Sequence, residues 1–328
     1  MTLRQRLGAL VYDWPRFLRH IGGDWTLIRN RDDTIVSDGR GVRCDWLYSS
    51  DLHIAKVYPV AGRMLMRRAF RDWPIVDGGG QAIPPVQDRQ DCLSSTPVVS
   101  FLIGHRGTER LPNLLGTLRS IAGQEGVGVE CIVVEQSATR EVEQDLPSWV
   151  RYIHTPVPAD VDYCRAATFN AAARAARGSV LIAHDNDMPV PARYAAEVAA
   201  RVRDGARFVD PKRFIFYLDE HGRLENVVQN LKGGSIAAEK RAYFDVGGFD
   251  ESFVGWGGED LEFWERAREH GGVYEFGWLP LLHLWHAPQR GKVEQHAAPA
   301  QQRYFELRDI PAAERIARLR STNFSNEK

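Results

Sequence analysis

Between residues 97 and 187 three apolar runs, 97-PVVSFLIGH-105, 129-VECIVVEQS-137 and 179-SVLIAHDND-187, alternate with two helix-patterned segments. These are 111-LPNLLGTLRSIAGQ-124 and the alanine-rich 163-YCRAATFNAAARAARG-178, which Gly178 ends. Apolar strands joined through helices predict an α/β, Rossmann-like architecture: a mostly parallel sheet covered by helices on both faces. Ligands of such sheets bind outside the carboxyl ends of the strands. The chemistry is therefore expected at His105, at Glu135 and at Asp185 to Asp187.

The rest of the 328-residue chain is organised around that unit. Residues 1–95 read as an N-terminal extension ending in a turn-prone linker, 77-DGGGQAIPPVQDRQD-91; residues 96–298 form the α/β domain; residues 299–328 form a tail with a closing helix from Pro299 to Ser321. A formal charge of −1 provides no global field to gather nucleic acid. Cys44, Cys92, Cys131 and Cys164 make no C-x-x-C pair, so neither a zinc framework nor a disulfide scaffold is expected. No apolar run after Met1 suits a signal peptide or a membrane span, which predicts a cytoplasmic protein. Leu3, Leu7, Leu10, Val11, Trp14, Leu18 and Ile21 recur at near-helical spacing among Arg4, Arg6, Arg16 and Arg19. Pro15 interrupts the run, so the preferred reading is a face packed on the neighbouring domain; peripheral contact with the inner face of a membrane is the alternative.

Three constellations can carry chemistry. Asp185-Asn186-Asp187 stands at a strand end, where two carboxylates can hold a divalent cation that takes nucleotide phosphates; a solvated turn reads the same way. His283 and His286 can present imidazoles from one side of a turn, and two histidines with a carboxylate suit Mn²⁺ better than Mg²⁺. The bland alternative is one structural and one exposed histidine beside Trp285. In 255-GWGGEDLEFWERA-267 the glycines allow close backbone approach, Trp256 offers a face on which a sugar can stack, and Glu259 and Asp260 open a helix. Acids in a first helical turn also arise as plain complements of the helix dipole.

These features in this order resemble the GT-A nucleotide-sugar glycosyltransferases from about Thr96 to Pro288. From Leu231 onward the chain is similar to the β-1,4-galactosyltransferase and chondroitin-polymerase type. The string 233-GGSIAAEKRAYFDVGGFDESFVGWGGEDLEFWERA-267 carries most of the likeness. The resemblance implies Asp187, His283 and His286 as ligands of Mn²⁺ (or Mg²⁺), with His283 where galactosyltransferases place a methionine. It implies nucleotide contacts at Gly104, His105, Arg106, Glu135, Arg165, Asn170, Asp185 and Asn186. It makes Asp260 the catalytic base and sets Gly233, Gly234, Trp256, Gly257, Gly258 and Glu259 around the sugars. Leu261 stands where galactosyltransferases carry a further acid, which bears on the acceptor.

The implied activity is metal-dependent, inverting transfer of a hexose or N-acetylhexosamine from a UDP-sugar to a glycan, lipid-linked or peptide acceptor. Two rivals stand beside it. A nucleotidyltransferase or phosphohydrolase would need a phosphate-cradling loop after the first strand, and Gly104-His105-Arg106-Gly107 has no such pattern. A non-catalytic carbohydrate- or nucleotide-binding module would keep the fold without transfer.

Overall fold

The computed structural model describes residues 3–15, 18, 54–55, 57–69, 95–210, 214–229, 233–275, 281–287 and 299–324. The expected linker over 77–91 lies outside these residues, as do Arg16, Arg19 and Ile21 of the N-terminal pattern.

In chain order the elements are α1 (Leu3–Gly8), which runs into a π-helical turn over Ala9–Asp13, and α2 (Pro59–Ala69). Then come β1 (Val99–His105), α3 (Leu111–Ala122), β2 (Val129–Ser137), β3 (Arg151–Pro156), α4 (Arg165–Ala175), β4 (Val180–His184) and α5 (Tyr194–Arg203). The remainder are β5 (Phe208–Asp210), β6 (Phe214–Leu218), β7 (Leu224–Gln229), β8 (Ser235–Glu239), α6 (Lys240–Asp245), α7 (Glu259–His270), β9 (Val273–Glu275), β10 (Leu281–His283), α8 (Pro299–Leu307) and α9 (Ala312–Asn323).

Seven strands form one sheet in the order β3-β2-β1-β4-β8-β5-β9. β1 pairs in parallel with β2 and β4, and β2 with β3, as apolar strands joined by helices must. β8 enters antiparallel between β4 and β5, a reversal that the strand pattern did not announce. Period-two alternation divides the core. Val99, Phe101, Ile103, Val180 and Ile182 face α3 and α5, where Leu114, Leu118, Ile121, Tyr194 and Val198 are buried. Leu102, Leu181 and Ala183 face the other layer, meeting Phe169 and Ala172 of α4, Tyr243 of α6 and Phe263 and Trp264 of α7. Both faces are covered, which is why the strands read as near-continuous apolar runs.

A second sheet, ordered β10-β6-β7, carries a satellite core. Phe216, Leu218, Val227, Leu282 and Leu284 are buried there with Ala9, Ala61, Leu65 and Met66 of the N-terminal extension. The expected packing of the leucine face is corrected: Leu3, Leu7, Leu10 and Val11 are exposed, and Ala9 supplies the buried contact. Tyr58, whose hydroxyl donates to the Arg6 carbonyl at 3.1 Å, lies beside the turn, and Ile54, Ala55, Ala61, Leu65 and Met66 share the cluster that buries Ala9. No described helix is long and apolar enough to cross a membrane.

The single closing helix is also corrected to two. Pro311 caps α9 in an extended conformation, and a proline there excludes a continuous helix because it lacks an N–H and disfavours helical geometry in the residue before it. α9 is tied down by charge: Arg315 donates to Glu262 at 3.1 Å and to Glu265 at 2.8 Å on α7, and Arg318 donates to Asp250 at 2.8 Å.

Candidate metal and donor site

The carboxyl ends of β1, β2 and β4 open on one mouth, and the residues beyond β4 line it. Because β8 runs antiparallel, with Ser235 opposite His184, the turn before β8 meets the turn after β4. The Asp185 amide donates to the Gly234 carbonyl at 3.0 Å, so Gly233-Gly234 lies beside Asp185-Asn186-Asp187. Gly234 adopts φ +87°, and a Cβ there would come within 2.8 Å of the Met188 side chain, so both backbone and space call for glycine.

β10 delivers the histidines. His283 is paired with Tyr217 of β6, and their rings stack with centroids 4.3 Å apart. The Leu284 amide donates to the Asp187 carbonyl at 2.9 Å, and Asn113 of α3 donates to the Trp285 carbonyl at 2.9 Å, which fixes the turn that carries His286. His286 Nε2 then lies 3.3 Å and His283 Nε2 3.9 Å from Asp187 Oδ2. One ligand atom from each of Asp187, His283 and His286 fits within 4.8 Å of the others, the group with that property among the described residues. Burial alone would raise the Asp187 pKa, but the hydrogen bond from His286 and the charges of His283 and Arg110 hold it well below the usual carboxylate range. Asp187 Oδ1 is buried and has no hydrogen-bond partner among the described residues. A carboxylate with Oδ2 beside two imidazoles and a buried, unpaired Oδ1 fits a transition-metal ion, since unpaired buried oxygens are otherwise costly.

A second cluster faces this one. Arg165, at the start of α4, donates through Nε and Nη2 to Asp185 Oδ1 at 2.9 and 2.6 Å and through Nη1 to Glu259 at 3.1 Å and Asp260 at 2.9 Å. One guanidinium thus binds the strand-end acid of β4 to the two acids that open α7. The acids reach it because Gly255, Gly257 and Gly258 take φ of +88°, +100° and +94°, and Gly258 caps α7 in the left-handed region. Trp256 is exposed at the rim. Arg165 was expected to meet the nucleotide; the structure places it as the clamp on these carboxylates.

Burial first, then the charge of Asp260, push Glu259 up to about 7 against the opposing pull of Arg165. Between its ordinary value of 4.5 and about 7 the folded chain therefore holds a proton that the unfolded chain releases, so stability falls as pH rises through that window. Glu259→Gln is expected to be more thermostable than wild type at about pH 8.5, by about 1–3 kcal/mol, with the difference gone below about pH 4. Melting curves at both pH values check it; a difference independent of pH would contradict the raised pKa.

Several residues expected at the nucleotide are engaged in hydrogen bonds inside the protein. Glu135 is fully buried and accepts from Tyr152 Oη at 2.5 Å, Ser137 Oγ at 3.0 Å and the Glu141 amide at 3.0 Å, so it closes the loop after β2. Asn170 is fully buried, its Nδ2 donating to the Phe249 carbonyl and its Oδ1 accepting from Tyr243 Oη. His105 is buried, accepting from Asn186 Nδ2 at 2.8 Å and donating from Nε2 to the Gly107 carbonyl at 2.8 Å. Its burial lowers its pKa, in keeping with a neutral ring in this role. Arg106 donates to the Val161 and Ala159 carbonyls. At Gly104 a Cβ would sit 2.1 Å from Tyr163 Oη, so glycine there serves the packing of α4 on β1. Arg110 was not singled out from sequence. It lies at the N-terminus of α3, with Nη1 3.3 Å from Asp187 Oδ2 and Nη2 3.3 Å from His286 Nδ1; an arginine in a loop after a strand gives no pattern by which to find it.

Comparison with known proteins bears on this arrangement. Residues 220–277 match the family described as the N-terminal domain of galactosyltransferase. The chain is 43% identical over 61 residues to "Probable N-acetylgalactosaminyltransferase 9" of Caenorhabditis elegans, which is 19% of this chain and 10% of that protein. Its fold is similar to that in the crystal structure of GalNAc-T7 with UDP, GalNAc and Mn²⁺, with a TM-score of 0.51 and 15% identity over 65% of this chain and 48% of that one. The chain thus spans about a tenth of the curated relative and about half of the structural neighbour. Its fold is the GT-A fold, and residues 220–277 are similar to the N-terminal domain of galactosyltransferase.

Proposed function

We propose that this chain is a metal-dependent glycosyltransferase that moves a hexose or N-acetylhexosamine from a UDP-sugar to an acceptor hydroxyl, with inversion at the anomeric carbon. The observation that carries the reading is the convergence of Asp187, His283 and His286 beyond β4, opposite a clamped acid pair on α7. The 61-residue likeness to an N-acetylgalactosaminyltransferase and the neighbour crystallised with UDP and Mn²⁺ support transfer from a UDP-sugar, while inversion rests on the placement of Asp260 alone. The narrower β-1,4-galactosyltransferase or chondroitin-polymerase type and the division into residues 1–95, 96–298 and 299–328 belong to the proposal.

Asp187, His283 and His286 would hold Mn²⁺, which when bound supplies a Lewis acid for charge growing on the leaving diphosphate. Asp260 takes the proton of the acceptor hydroxyl as that oxygen attacks the anomeric carbon from the face opposite the leaving group. Arg165 occupies Asp260 Oδ1 and leaves Oδ2 without a hydrogen bond among the described residues, so one oxygen is steered and the other is open to the acceptor. Trp256 stacks on a sugar at the rim and helps to keep water from the donor.

The test is incubation with MnCl₂ and a panel of nucleotide sugars, following UDP release and the anomeric configuration of the product. Mn²⁺-dependent UDP release with one or two UDP-sugars and an inverted product is expected. Nucleotide-sugar binding without turnover would replace the enzyme by a binding module, and a retained configuration would remove Asp260 as the base of a single displacement.

A further inference from the structure

Arg110 lies beside the group that would hold a cation. Its Nη1 lies 3.3 Å from Asp187 Oδ2 and its Nη2 3.3 Å from His286 Nδ1, while its own side chain remains partly open to the mouth. His286 Nδ1 has a second neighbour, the Ala287 carbonyl, at 2.8 Å. The ring can satisfy these contacts in two ways. With the proton on Nε2, His286 donates to Asp187 and its Nδ1 accepts from Arg110. With the proton on Nδ1, it donates to the Ala287 carbonyl, its Nε2 lone pair faces the Asp187 carboxylate, and an Arg110 N–H would point at an N–H. A neutral imidazole ligates a metal through an unprotonated nitrogen, usually with the other N–H held by a carbonyl. The second arrangement is the one that binds metal, and it turns an N–H toward Arg110 Nη2. Charge works the same way, since a divalent ion on Asp187 repels a guanidinium 3.3 Å from the same carboxylate.

Once displaced, Arg110 needs an anion. The acids across the mouth, Asp185, Glu259 and Asp260, are already bound by Arg165. The anion that enters with the cation is the donor's diphosphate, and a guanidinium fork matches phosphate oxygens in bidentate geometry. Resting on the reading of this site as a nucleotide-sugar site, we propose that Arg110 is a diphosphate-binding side chain that holds the metal position until donor and cation arrive together. The exchange makes Mn²⁺ alone bind weakly and Mn²⁺ with nucleotide bind well, so an empty site does not sequester metal.

The test measures binding, by titration calorimetry, of MnCl₂ alone and of UDP in saturating Mn²⁺, for wild type, Arg110→Gln and Arg110→Lys. Arg110→Gln is expected to bind Mn²⁺ alone more tightly, by about 3- to 10-fold, and UDP more weakly, by about 10- to 100-fold. Arg110→Lys, which keeps the charge and loses the fork, is expected to fall between the two for UDP. A merely structural ion pair would leave UDP affinity unchanged and Mn²⁺ affinity unchanged or weaker, and that pattern overturns the inference. Should Arg110→Gln fail to fold, wild-type UDP affinity in Arg110→Lys overturns it equally. A wild-type chain that binds neither Mn²⁺ nor UDP would overturn the donor-site reading itself, whereas normal wild-type binding that the variants leave unmoved counts against Arg110 alone.

Discussion

Asp187→Asn is expected to abolish Mn²⁺ binding and to lower sugar transfer by about 10³-fold or more, because several kcal/mol of leaving-group stabilisation depend on that ion. The carboxylate is the anion that His283, His286 and Arg110 all face. An amide keeps its shape while removing its charge, leaving the cation without its anionic ligand and beside an uncompensated guanidinium. The effect should be separable from misfolding. Asp187 contributes to the fold through its backbone carbonyl, which accepts from the Leu284 amide at 2.9 Å, and that bond survives the substitution. Thermal melting provides the control: Mn²⁺ with UDP at about 100 times the dissociation constant should stabilise wild type by about 2.7 kcal/mol and leave the variant unmoved. A variant that still shifts with Mn²⁺, or still transfers sugar at a wild-type rate, would place the metal elsewhere.

The parts of this molecule that sequence revealed are those set by local periodicity. β1, α3, β2, α4 and β4 lie within the apolar and helical runs read from residues 97 to 187, because each buries its pattern in one contiguous layer. The antiparallel entry of β8 and the second sheet were not legible. β10 finds β6 about sixty residues earlier in the chain, and no local pattern encodes a partner at that distance. The meeting of His283 and His286 with Asp187 depends on this pairing, so the histidine spacing suggested ligands while tertiary structure brought them to the strand end. Glu135 and Asn170 show what a single sequence does not carry. A polar residue at a strand end or on a helix facing the mouth looks the same in sequence whether it waits for a ligand or closes a loop, and only the count of its internal hydrogen bonds separates the two. Pro311 was visible, and its lack of an N–H sufficed to divide the C-terminal helix.

Asp260→Asn is expected to leave UDP and Mn²⁺ binding unchanged and to reduce transfer by about 10²- to 10⁴-fold, the usual contribution of a positioned general base. Two acids stand side by side at the start of α7, and their environments assign them different work. Glu259 is pushed up to about 7 by burial and by Asp260, so near neutrality much of it carries a proton and cannot accept another. Asp260 shares Arg165 with Asp185, and its side chain is the more open of the pair, 19% exposed against 10% for Glu259. An acid steered by a guanidinium on one oxygen can receive the acceptor's proton on the other. Asparagine preserves an oxygen for Arg165 but offers no basic site, so the clamp and the donor pocket persist while the hydroxyl stays protonated. Glu259→Gln, measured beside it, should keep far more activity than Asp260→Asn at pH 7. The reverse order would assign the proton transfer to Glu259, and equal, slight losses in both would remove the α7 acids from the reaction.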